Sequence, residues 1–146
     1  MIKPLAPRPS PLACVSWTDA YIGIPFVPDG RDRAGCDCYG LICLVYQEQF
    51  GIELPSYAGI FQDQSYESLR RVARFIAAHK NTWQQVKSPK PFDMIVLRSG
   101  RYLWHVGLSI DRRSMLHIQE GIDSVVEDYT GPMWRRKVEE FRRYGQ

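Results

Sequence analysis

The chain has 146 residues, 45% of them hydrophobic and 24% charged, enough for one domain with its own core and unlike a disordered or fibrous composition. Its formal charge of +3 is too small to point to nucleic acid, and no apolar run approaches the roughly 20 residues that cross a bilayer. The opening segment lacks the uninterrupted apolar core of a secretory leader, and Cys14, Cys36, Cys38 and Cys43 do not form a framework of spaced bridges, so thiols in a reducing cytoplasm are expected.

Four prolines in residues 1–12 predict an extended arm suited to docking on a partner. Residues 13–146 read as one domain, without repeat, long linker or low-complexity tract. A short helix is expected from Cys14 to Tyr21, followed by a loop from Gly23 to Gly30. From Cys38 to Phe50 the residues Leu41, Ile42, Leu44, Val45 and Tyr46 predict a helix buried over much of its surface, with Gly51 as its stop. Residues 65–80 place Leu69, Val72, Ala73, Ile76 and Ala77 on one stripe, with Arg70, Arg71 and Arg74 largely outside it, as in a packing helix. Beyond Pro89 and Pro91 the pattern turns to strands: Asp93 to Leu97, Leu103 to Ile110, Met115 to Gln119 and Val125 to Tyr129. Helices followed by a run of strands predict an α+β domain.

Chemistry concentrates at Gly35 Cys36 Asp37 Cys38 Tyr39 Gly40, where Cys38 begins a predicted helix. Unpaired amides and the helix dipole favour a thiolate there, and the Cys38 N–H is a natural oxyanion donor. Taken alone, such a cysteine reads more readily as a small buried hydrophobe. His105 and His117 tip the balance. They lie on consecutive strands, and an odd number of residues in the loop around Asp111 Arg112 Arg113 puts both on one face. His105 can then take the thiol proton, or sit beside the thiolate as imidazolium, while His117 orients it. Cys14, Cys36 and Cys43 read as structural, and His79 as a partner of a helix C-terminus. A zinc site from Cys36, Cys38, Cys43 and a histidine is disfavoured, because Cys43 would have to leave an apolar helix face. A phosphate loop is disfavoured too, since no Lys and Ser/Thr follow Gly40.

Several segments together resemble the NlpC-type cysteine peptidases, papain-like enzymes that cut peptidoglycan stem peptides. Tyr21 Ile22 Gly23 Ile24 Pro25 Phe26 with Gly30 Arg31 resembles the family's loop before the nucleophile, and Asp37 Cys38 Tyr39 Gly40 Leu41 its Asp Cys x Gly Leu signature. Phe50 Gly51 Ile52 Glu53 Leu54 Pro55 resembles the segment closing that helix, and Phe92 Asp93 Met94 Ile95 Val96 stands in the place of its Gly Asp strand. His105 Val106 Gly107 Leu108 and Leu116 His117 Ile118 resemble the strands of the catalytic histidine and the third polar residue. The resemblance implies a papain-like α+β fold, the nucleophile's helix packed on an antiparallel sheet. It also implies Cys38 as nucleophile, His105 as base, His117 as the orienting group, and neither metal nor cofactor. The implied reaction is hydrolysis of a stem-peptide amide, commonly between D-glutamate and a diamino acid, through an acyl-enzyme.

Two positions depart from the pattern. Phe26 lacks the hydroxyl that a tyrosine commonly brings to the oxyanion site. Tyr39 replaces a serine, which with Gly35 Cys36 Asp37 Cys38 resembles the short branch encoded by tailed phages and gene transfer agents. That branch implies a place at a particle tail tip, tail-tip or hub proteins as partners, and action in the host cell wall. Tyr21, Tyr39, Arg31 and Arg98 are candidate substrate contacts, with Arg33 and Arg101 as further cations for stem-peptide carboxylates. The run Trp134 Arg135 Arg136 Lys137, with Arg142 Arg143 Tyr144, is a candidate docking face. Two competing expectations are a tail-tip plug that has lost turnover, and another thiol chemistry such as an amidase or acyltransferase.

Overall fold

The computed structural model describes residues 16–56, 83–99 and 102–145. The expected arm over residues 1–12, Cys14, the helix over residues 65–80 with His79, and Arg101 lie outside the described residues.

The first element is a 3-10 helix, Trp17–Tyr21, whose Ser16 cap accepts from the Thr18 N–H at 3.3 Å. It forms the end of the short helix expected from Cys14 to Tyr21, within the described residues. Two short strands, β1 (Arg31–Asp32) and β2 (Gly35–Cys36), form a small antiparallel ribbon before helix α1 (Cys38–Phe50). Asp37 caps α1, and Gly51 closes it in the left-handed region at φ 66°, where a residue without Cβ is favoured. Both ends of α1 fall where the sequence places them.

Six strands follow in one antiparallel sheet: β3 (Trp83–Val86), β4 (Met94–Ser99), β5 (Tyr102–Ser109), β6 (Ser114–Gln119), β7 (Ile122–Asp128) and β8 (Val138–Tyr144). Their order across the sheet is β3-β8-β4-β5-β6-β7, so the C-terminal strand is inserted beside β4. This engages Arg142 and Arg143, two cations of the candidate docking face made of Trp134 to Lys137 with Arg142 to Tyr144, within the sheet. Arg142 is buried, and Arg143 grips the buried Asp93 carboxylate with two bonds of 2.9 and 2.7 Å. Only Arg135, Arg136 and Lys137 of that run stand exposed.

Strand alternation divides the core in two. Met94, Val96, Val106, Leu108, Leu116 and Ile118 belong to the cluster of α1 residues Leu41, Ile42, Val45 and Tyr46. Ile95, Leu97 and Met115 pack with Tyr129 and Trp134 in a second cluster, flanked by Val138 and Phe141. The helix is thus buried on most of its circumference, which is why its sequence shows an apolar run and no narrow stripe. This α+β arrangement, one helix on an antiparallel sheet, agrees with the fold expected from the sequence.

Candidate active site

The site begins at the N-terminus of α1. The Asp37 carboxylate accepts from the Gly40 N–H at 2.7 Å, the Asp29 N–H at 3.0 Å and Arg31 Nη1 at 2.7 Å. A Cβ on residue 40 would fall on the Gly30 carbonyl oxygen, so glycine there lets the preceding loop lie directly against the helix start. Cys38 is thereby held in a packed corner, 7% exposed. Backbone N–H groups of Val106 and Tyr39 bond its sulfur, so the thiol abuts β5 at the residue after His105.

The charge state of this thiol differs from the sequence expectation. Burial, and next the Asp37 carboxylate, push the Cys38 thiol up to about 12 and outweigh the N–H groups that favour the thiolate. A helix terminus favours a thiolate only while water or a counterion shares the work, and this corner is nearly dry.

The histidines meet as loop parity requires. Ile110 N–H bonds Ser114 O at 2.8 Å, which leaves the three residues Asp111, Arg112 and Arg113 in the turn, and Leu108 stands opposite Leu116. His105 Nε2 lies 2.8 Å from His117 Nδ1, and both rings are 2% exposed. Burial first, then the neighbouring His117 and Lys137, pull His105 down to about 3. Burial lowers His117 as well, against the opposing pull of Glu127. The thiol and both imidazoles are therefore neutral at rest.

Two further residues complete the cluster. Glu127 Oε2 lies 2.5 Å from His117 Nε2, and Trp134 Nε1 donates to that same oxygen at 3.2 Å. The Trp134 ring stacks on His105 at 5.7 Å between centroids and meets His117 edge-on at 5.1 Å. Sequence reasoning missed both, although β7 offered a signal: Val125 pairs with His117, and Glu127, two residues on, shares its face. Trp134 was hidden by the basic residues that follow it.

The other candidates are engaged within the fold. The buried Tyr21 hydroxyl donates to Glu48 at 3.0 Å and accepts from Gln49 at 3.1 Å. Arg31 bonds Asp37, the Gly30 carbonyl at 2.8 Å and the Ser56 carbonyl at 2.9 Å, while its Nη2 is buried without a hydrogen-bond partner. Tyr39 donates to the Pro55 carbonyl at 2.9 Å, Arg33 pairs with Glu48 at 2.7 Å, and the exposed Arg98 pairs with Glu139 at 2.7 Å. Cys36 and Cys43 bond the Asp32 and Pro55 carbonyls at 3.1 and 3.9 Å. Phe26 is half-buried against the core. Among the described residues no group of three or more His, Cys, Asp or Glu side chains is arranged to hold a metal ion.

Comparison with known proteins places this geometry. The NlpC/P60 family matches residues 23–143. The chain belongs to that family. NlpC/P60 proteins are cysteine peptidases, and the motifs around Cys38, His105 and His117 all lie inside the matched region. Over 121 residues the chain is 25% identical to the murein DD-endopeptidase MepS/murein LD-carboxypeptidase of Escherichia coli (strain K12), covering 83% of this chain. It covers 56% of that protein, so the chain spans about half the length of the curated relatives it matches. Among solved structures, a lipoprotein-like NLP/P60 protein from Staphylococcus aureus is 25% identical with a TM-score of 0.61, over 87% of this chain and 38% of its own. The NlpC/p60 domain of the peptidoglycan hydrolase SagA shares the fold at a TM-score of 0.57 and 21% identity, over 86% of this chain and 91% of its own.

Proposed function

We propose that this NlpC/P60 chain is a peptidoglycan endopeptidase that hydrolyses a stem-peptide amide bond through a Cys38 acyl-enzyme. The observation that carries the reading is the 2.8 Å contact between His105 and His117, two residues that parity aligns beside the strand position touched by the Cys38 sulfur. Family membership supports it. His105 takes the Cys38 proton as the sulfur attacks the amide carbonyl, and the Cys38 N–H at the helix start stabilises the oxyanion. The C–N bond then breaks, the amine leaves with the proton from His105, and a thioester remains. Water deprotonated by His105 hydrolyses the thioester and restores the thiol. His117 holds the base ring and supports its transient positive charge.

Because thiol and imidazole are neutral at rest, the proton moves only as the carbonyl is attacked, which makes His105 a general base in acylation. Phe26 brings no hydroxyl to the oxyanion, and turnover below that of tyrosine-bearing relatives is the expected consequence. The substrate bond expected from the sequence joins D-glutamate to a diamino acid. The likeness to a murein DD-endopeptidase favours a second possibility, a DD cross-link. Action at a particle tail tip, on a host wall, with tail-tip or hub proteins as partners, belongs to the same proposal and rests on the Tyr39 departure.

Mass spectrometry of muropeptides from diaminopimelate-type peptidoglycan, treated with wild type or Cys38→Ala, tests this reading. New stem-peptide fragments from wild type alone are expected, and their masses identify the bond. No fragments from folded wild type, together with a Cys38 inert to thiol reagents up to pH 10, would favour a structural component instead.

A further inference from the structure

We infer that Glu127 is a positioning residue that sets, through His117, which nitrogen of His105 accepts a proton. The inference rests on the proposed role of His105 as base. It follows from donor and acceptor counting along the contacts from Trp134 through Glu127 and His117 to His105. A carboxylate only accepts hydrogen bonds, and an indole N–H only donates. Glu127 Oε2 faces both Trp134 Nε1, at 3.2 Å, and His117 Nε2, at 2.5 Å. The oxygen is therefore the acceptor in both contacts, and His117 Nε2 carries the hydrogen.

The rest of the chain follows from neutrality. A neutral imidazole has one N–H, so His117 Nδ1 holds a lone pair. It faces His105 Nε2 at 2.8 Å, and that nitrogen must then be the donor. Neutral His105 consequently keeps its lone pair on Nδ1, the nitrogen not used on His117. That is the tautomer able to take a proton there. The opposite tautomer would place a hydrogen on the accepting nitrogen and stop general-base chemistry with the geometry intact.

Each ring is also confined. Trp134 stacks on His105 and closes edge-on against His117, while a Cβ on Gly107 would stand 3.2 Å from His117 Cβ. The Trp134 ring packs against both imidazoles, and the proton position is the variable that Glu127 decides. The Glu127 side chain is one-third exposed, on a strand that is an edge among the described residues. Its replacement therefore opens no large cavity.

Nitrogen-detected tautomer spectra of the histidines in 15N-labelled protein test the inference, with single-histidine variants for assignment. In wild type both His105 and His117 are expected to carry the hydrogen on Nε2. Glu127→Ala should lose that single pattern and lower kcat about 10- to 100-fold with KM nearly unchanged, the scale typical of lost outer-shell orientation. Glu127→Gln should preserve the tautomers, because its amide oxygen can accept from both Trp134 and His117, and should keep kcat within about threefold. A wild-type His105 with its hydrogen on Nδ1 would overturn the inference, whatever the variants do. So would Glu127→Ala with unchanged tautomers and unchanged kcat. If the tautomers respond to Glu127 but wild type cleaves no muropeptide, the peptidase reading fails while the hydrogen-bond assignment stands. If wild type cleaves but its tautomers are indifferent to Glu127, the positioning role fails while the peptidase reading stands.

Discussion

Asp37→Ala is expected to destabilise the fold by about 4 kcal/mol, because one carboxylate serves as helix cap, loop anchor and ion-pair partner. Its removal strips the α1 cap from the Gly40 N–H, worth about 1 kcal/mol, and leaves the Asp29 N–H without its acceptor. It also strands Arg31, whose side chain is 17% exposed and already holds one unbonded nitrogen; breaking such a pair from one side costs about 3–5 kcal/mol, a range that overlaps the cap loss. For a chain of this size, 4 kcal/mol corresponds to a fall in Tm of about 8–16 °C. The mechanism makes a second demand. Burial holds the Asp37 carboxyl above its usual range in spite of Arg31, so the pair itself carries a desolvation burden. Most of the damage should accordingly come from the orphaned arginine, and the double variant Asp37→Leu, Arg31→Met should be more stable than Asp37→Ala alone. Thermal and urea unfolding with circular dichroism measure both. A single variant within about 1 kcal/mol of wild type, or a double variant no better than the single, would refute the reasoning.

Peptide-resolved alkylation of Cys38 with iodoacetamide should accelerate steadily across pH 8–10, since burial pushes that thiol up to about 12; a rate already level from pH 5 would show a resting thiolate-imidazolium pair. Stability should fall with acid from His105. Its folded value is near 3 and an unfolded histidine titrates near 6.5, so below about pH 6.5 the unfolded state binds the extra proton and stability drops by about 1.4 kcal/mol per pH unit, until pH 3. His105→Gln should remove that increment while sharing every carboxylate contribution, and parallel pH-stability curves for the two proteins would contradict the assignment.

The legible parts of this fold are those whose signal is local. Asp37 and Gly51 mark the ends of α1 by capping chemistry alone, and the three-residue turn after Ile110 fixes which way His105 and His117 face. Strand β8 was illegible for the opposite reason. Val138–Tyr144 carries an apolar residue only at every third position, with charged pairs between, so it shows no strand alternation, yet it lies between β3 and β4, where Arg142 bonds the Trp83 carbonyl at 3.1 Å and Arg143 bonds Asp93. Long charged side chains can cover a sheet face when a partner waits at their tips, and that partner is distant in sequence. The same distance hid the role of Tyr21, whose hydroxyl bonds Glu48, and the bond from Arg31 to the Ser56 carbonyl.

The candidate site was half legible, and the missing half changes its chemistry. Residue types and spacing point to a sulfur and two imidazoles, but a thiol pKa depends on how much water the neighbours leave, which no motif states. Here Trp134 closes over both histidine rings, and α1 seats the sulfur against β5. Each adjustment favours the neutral form of the group it covers. Under the proposed mechanism, a dry, neutral pair is slow to react with small electrophiles in solution, yet delivers a thiolate to a carbonyl whose developing oxyanion meets the N–H at the helix start. On that proposal, selectivity for substrate over adventitious reagents follows from the same burial that raises Cys38 and lowers His105.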